Sequence, residues 1–104
     1  VSAAGVTDAP LAISGDLTVQ VAADWKVQLV AALEAATTLR IDLSEVIEMD
    51  TAGLQLLLMI HREAEAAGKP LELTGHSRAV LDVLALAHLN VDLSDTSTQV
   101  GGPR

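Results

Sequence analysis

Cysteine, phenylalanine and tyrosine are all missing from this 104-residue chain, and Trp25 is its one residue of the Phe/Trp/Tyr class. Without cysteine there is no disulfide framework and no thiolate metal site, and the absence suits a reducing compartment. Without large aromatics, the core has to be built from Leu, Ile, Val and Ala. Apolar residues make up 50% of the chain, enough for one unstapled domain of this length. Basic residues are also scarce: 6 Lys and Arg stand against 14 Asp and Glu, for a net charge of −8. That argues against nucleic acid, whose binding relies on Lys and Arg neutralising phosphates. It also disfavours an electrostatic hold on anionic lipid, and it favours a partner with a basic face. The longest strongly apolar run, Leu56-Leu57-Leu58-Met59-Ile60, is far too short to span a bilayer. Residues 1–10 lack the basic region and apolar stretch of a signal peptide. The expectation is one soluble cytoplasmic domain with no nucleic-acid partner and no direct membrane insertion.

What is present is an alternation of short extended and helical patterns. Residues 11–13, the turn Ser14-Gly15-Asp16 and residues 17–21 read as two strands of a tight hairpin. Over residues 22–36 the period becomes helical, with Trp25, Leu29, Ala32, Leu33 and Ala36 on one face, and Thr37-Thr38 end it. Residues 39–43 read as a short strand and 44–50 as a loop. A second helix is predicted over 51–67, stopped by Gly68-Lys69-Pro70. Residues 71–74 form another strand. Gly75-His76-Ser77 then leads into a third helix, with Ser77 as its N-cap and Val80, Val83, Leu84 and Ala87 as its buried stripe. Residues 91–93 suggest a last short strand, and 94–104 a loose polar tail. This order predicts an α/β domain: a mixed sheet of four or five strands with an N-terminal hairpin, and about three main helices packed on it.

The segment richest in chemistry is Ile41-Asp42-Leu43-Ser44 followed by Met49-Asp50-Thr51-Ala52-Gly53-Leu54. Asp50 or Thr51 can accept hydrogen bonds from the first free N–H groups of the second helix. A phosphate on a hydroxyl there would gain from those N–H groups and the helix dipole. It would be opposed by the Asp50 carboxylate, so phosphorylation could serve as a release signal. The plainer reading is that Asp50 and Thr51 are only a helix cap.

These two segments, with Ala66-Ala67-Gly68-Lys69-Pro70-Leu71 before the next strand, resemble the STAS family of sulfate transporters and anti-sigma-factor antagonists. The resemblance covers residues 8–93 and implies a single STAS-type domain with a binding role, no enzymatic activity and no cofactor. Regulatory members carry Asp-Ser-Ser/Thr-Gly at this place, and a partner serine/threonine kinase phosphorylates the second hydroxyl residue. Here that position is Ala52, so Thr51 is the one remaining phosphorylation candidate: either it has taken over the role or the domain is not switched by phosphate. The Asp-Thr-small-Gly form is also similar to the STAS subunit of the bacterial lipid-asymmetry ABC transporter, and to STAS proteins of chemotaxis-type kinases. There the equivalent of Thr51 lies at the partner contact. The resemblance at the motif, together with the helix projection that follows, gives a partner-binding set of Asp50, Thr51, Ala52, Gly53, Leu54, Gln55 and Leu58. The implied partner is an anti-sigma factor or a serine/threonine or histidine kinase-like protein, and alternatively an ABC ATPase.

Projecting the second helix at about 100° per residue puts Leu56, Leu57, Ile60, Ala64 and Ala67 on a core-facing arc. Leu54, Leu58 and Met59 fall toward the other side, among Gln55, Arg62 and Glu65. That side is either a contact patch or covered by a neighbouring loop. If it is a patch, Leu58→Glu should abolish binding and leave the fold intact. Other chemistry finds little support. His61, His76 and His88 lack ligand spacing, and Gly75-His76-Ser77 is not a phosphate loop. Asp42 and Ser44 are read as loop-organising rather than catalytic, and Glu45 and Glu48 as solvated loop charges.

Overall fold

In the computed structural model, which describes residues 10–87 and Leu93, Ser14-Gly15-Asp16 does not turn the chain back. Residues Leu11–Leu17 form one continuous strand, β1. Gly15 takes φ +83°, a left-handed conformation open to glycine at little cost, and it sits where the pairing register slips between Gly15 and Asp16. The glycine read as a hairpin turn therefore lies inside a strand, at an irregularity whose extra residue, Ile47, is on the facing strand. Along β1 the period-2 alternation is kept across the slip, so Ile13 and Leu17, four residues apart, are both fully buried. Residues 18–21 are a turn closed by the Val21 N–H on the Thr18 carbonyl at 3.0 Å, not the second arm of a hairpin.

The remaining elements are α1 (Ala22–Ala35), β2 (Leu39–Met49), α2 (Thr51–Ala67), β3 (Leu71–Thr74) and α3 (Arg78–Ala87). Among the described residues the sheet has three strands in the order β1-β2-β3, and both pairings are parallel. Among the described residues the strands are therefore joined as β-α-β units, which link parallel strands through helices, and not by the expected hairpin. The strand expected over 91–93 lies outside the described residues except for Leu93, which is helical. The tail expected over 94–104 lies outside them entirely.

β2 is longer than its sequence suggests. It runs through the expected loop to Met49 because Ser14, Gly15, Asp16 and Leu17 pair with Glu45, Val46, Glu48 and Met49. Inward-facing Leu39, Ile41 and Leu43 are buried, and burial resumes at Val46 after a phase slip. Asp42, inside the strand rather than at a loop, accepts from the Ser44 N–H at 2.9 Å where the phase changes.

The core is aliphatic. Ile13, Leu17, Leu29, Ile41, Leu43, Leu57, Ile60, Val80, Leu84 and Leu93 are its largest fully buried side chains. Trp25 is half-buried against it. Local signals set the helix ends. Gly68 closes α2 at φ +70°, with the Lys69 N–H on the Ala64 carbonyl at 2.9 Å, as a left-handed C-terminal cap requires. Ser77 Oγ accepts from the Val80 N–H at 3.3 Å and starts α3. Lys69 does more than follow a helix stop. Its ammonium donates to the Leu33 carbonyl at 2.7 Å and the Glu34 carbonyl at 3.2 Å. It thereby binds the last free carbonyls of α1, where a positive charge is favoured.

Candidate functional site

The site forms where the C-terminal ends of β1 and β2 meet the first turn of α2. Asp50 is extended, at φ −125°, and caps α2 by accepting from the Gly53 N–H. Its Oδ1 makes that bond at 3.2 Å, and its Oδ2 accepts from the Val19 N–H at 3.1 Å. The Asp50 N–H also reaches the Leu17 carbonyl at 3.4 Å. One residue therefore ties the end of β1, the turn after it and the start of α2 together. The Val19 N–H, followed by that of Gly53, holds the carboxyl below its usual range, against the opposing effect of lost hydration. A carboxylate stabilised this way is a fixed acceptor, ill matched to proton transfer near neutrality.

Gly53 is needed for the close approach. A Cβ there would collide with the Leu17 carbonyl oxygen and press on the Leu17 and Met49 side chains. Helix start and strand end are thus in backbone contact. This leaves Thr51 exposed at the first helical position, Ala52 half-buried and Gln55 exposed. Asp42 and Ser44 lie further back on β2. A Cβ at Gly75, which has φ +67°, would meet Asp42 Oδ1 and the Ser44 Cβ, so this pair packs under the entry to α3 and away from Thr51.

The apolar patch expected on α2 is not an open surface. Leu54 is buried, and Leu58 and Met59 are half-buried against the core. Helix projection assumes one buried arc, whereas α2 is flanked by α1 on one side and α3 on another. Ala67, assigned to the core arc, is exposed at the last turn. A charge at Leu58 would therefore disturb packing as well as any contact.

Exposed apolar side chains do lie at or near this site, but they come from other elements. Val19, Ile47 and Leu86 are 68%, 73% and 83% exposed. Ile47, Glu48, Met49 and Asp50 share one cleft with Thr18, Ala79, Asp82 and Val83 of the turn and α3. Asp50, Thr51 and Leu54 share a second with Val83, Leu86 and Ala87. The charged side chains lining the two clefts are all acidic. Of these residues, Val19, Ile47 and Leu86 did not stand out in the sequence. The available signal was that Leu86 falls off the buried stripe of α3 and that the pair Val46-Ile47 lies between Glu45 and Glu48.

The histidines lie elsewhere. His61 Nδ1 is 3.9 Å from Glu65 Oε1 one turn on, His76 Nε2 donates to the Leu93 carbonyl at 2.7 Å, and His88 is outside the described residues. Among those residues no group of three or more His, Cys, Asp or Glu is placed to hold a metal ion. No helix among them is long and apolar enough to cross a membrane.

Comparison with known proteins adds two findings. A family model described as "Mlab, STAS domain" matches residues 3–95. A solved structure of the anti-sigma factor antagonist SpoIIAA in its unphosphorylated form superposes with a TM-score of 0.68 at 24% identity, covering 83% of this chain and 76% of that one. No curated protein sequence matches significantly.

Proposed function

The chain belongs to the STAS domain family, and from that premise we propose that it is a non-catalytic regulatory module that binds a protein partner through the start of α2. The observation that carries this reading is the exposed Thr51, set beside a fully committed Asp50 carboxylate and sharing a cleft with the exposed Leu86, while the exposed Ile47 lines the adjoining cleft at Asp50. Such a surface offers contact area and a hydroxyl rather than a reaction centre. Asp50 and Gly53 hold the site's shape, Ala52 and Leu54 support it from beneath, and Thr51 and Gln55 face the partner. Leu58 contributes by packing. We place this activity in the cytoplasm.

Two partner classes are consistent with the family. As in anti-sigma-factor antagonists, the partner is an anti-sigma factor or a serine/threonine or histidine kinase-like protein, and Thr51 carries the phosphate that releases it. A phosphoryl group there adds about 1.5–2 negative charges next to Asp50 and to the acidic clefts that hold Glu48 and Asp82. The second reading is a STAS subunit docked on the ATPase of a lipid-transport ABC system. It is favoured by the description of the matching family model and by Ala52, which stands where the usual acceptor would be.

Affinity capture from the native cell decides between them. Recovery of an ABC ATPase defeats the sigma-factor reading, and recovery of an anti-sigma factor or kinase-like protein supports it. In the second case, incubation with that kinase and ATP should raise the intact mass by one phosphate, and Thr51→Val should abolish the shift. Capture that survives Thr51→Glu with undiminished yield would remove this surface from the interface.

A further inference from the structure

Helix α1 is apolar on the side that faces away from the core as well as on the side that faces it. Leu29 and Leu33 are buried. On the opposite side Ala23, Val27, Val30 and Ala31 line a shallow groove with Lys26 and Glu34, and Val27 is 70% exposed. A helix of this kind is normally covered on both sides, yet no other described residue lines this groove.

The charges flanking the groove indicate what covers it. Lys26 and Glu34 are eight residues apart, about 12 Å along the helix axis. They bracket Val27, Val30 and Ala31. In a helix pair related by a two-fold axis near residue 30, Lys26 of each copy comes alongside Glu34 of the other while the valines meet between them. A parallel pair would oppose Lys to Lys and Glu to Glu. The pattern is therefore self-complementary in one orientation, as a two-fold interface requires. We infer that α1 is a homodimer surface, on which a second copy of this chain packs its own α1 antiparallel.

The inference does not depend on the partner reading above, because α1 contributes no residue to the clefts around Thr51. A helix of 14 residues is about 21 Å long. One such face offers less than the roughly 800 Å² per partner of a standard interface, so the dimer is weak and reversible. The net charge of −8 on each copy opposes it at low salt. Screening over about 8 Å at physiological ionic strength removes most of that long-range repulsion. The two Lys26–Glu34 pairs set orientation more than strength.

Sedimentation equilibrium of the full chain over a wide concentration series, at physiological ionic strength, tests the inference. The weight-average mass should climb from 10.8 kDa toward twice that value. Val27→Glu should weaken association by more than about tenfold with an unchanged melting temperature, since the side chain is exposed. Lys26→Glu and Glu34→Lys should each weaken it several-fold, and the double exchange should restore it. A chain that stays monomeric at every concentration overturns the inference, as does a dimer indifferent to Val27→Glu. A double exchange that fails to recover overturns the antiparallel arrangement. If Val27→Glu blocks capture of a different protein while the chain stays monomeric, the face belongs to that protein and the homodimer is wrong.

Discussion

Asp50 is the residue on which the site turns, and its physics makes a testable statement about pH. The Val19 and Gly53 N–H groups favour its charged form in the folded chain and are unavailable to it in the unfolded one. A carboxyl whose pKa is lowered on folding adds stability above its unfolded value, and that stability is lost as pH falls through the folded value. Asp50→Asn keeps a capping oxygen but has no charge to lose. The variant should therefore be less stable than the parent at neutral pH, and the gap between their urea midpoints should narrow as pH is taken down through and below 3.8. A constant gap would mean that the bonds act through geometry alone. The cap itself was legible, since Asp at this place before an apolar period is a common helix start. The second bond, from Val19, joins residues 31 apart, and no local pattern announces it.

Among the elements, the helices were the most readable. Gly68, Ser77 and Asp50 each act on backbone groups within four residues, so composition alone places the ends of α2 and the start of α3. The strands were not so readable, because their hydrogen bonds lie on other segments. Ser14-Gly15-Asp16 has the composition of a turn, and only pairing with β2 keeps it within a strand. Likewise Ser44 to Asp50 has too few β-formers to read as a strand until β1 pairs with it. Lys69 shows the same dependence on distant partners. It follows a Gly that ends α2, yet its ammonium completes α1, 36 residues earlier. Lys69→Met should lower stability by about 1 kcal/mol, read from urea denaturation. Lys69→Arg should recover part of that loss.

At the scale of the whole molecule, the packing of α2 between α1 and α3 decides which apolar residues are available to a partner. Leu54 is buried and Leu58 half-buried, and the exposed apolar side chains at the two clefts are Ile47 and Leu86, from two other elements. Two substitutions separate these roles. Leu86→Asp, at a side chain 83% exposed, should reduce partner capture and leave the melting temperature unchanged. Leu58→Glu should lower the melting temperature, because it forces a charge against the core. A Leu58→Glu variant as stable as the parent would return that residue to the contact surface.

The sequence by itself determined the α/β class, the aliphatic core, the helix positions and the family motif at Asp50-Thr51-Ala52-Gly53. Each of these is written in residue type, in helical period or in contacts a few residues long. Tertiary structure alone decided that the sheet among the described residues is wholly parallel, that β2 extends to Met49, that Leu54 is buried, and that α3 brings Leu86 into the cleft with Thr51. Those outcomes depend on hydrogen bonds and packing between segments about 30 residues apart. The energy of such contacts belongs to the assembled pair and is visible in neither segment alone.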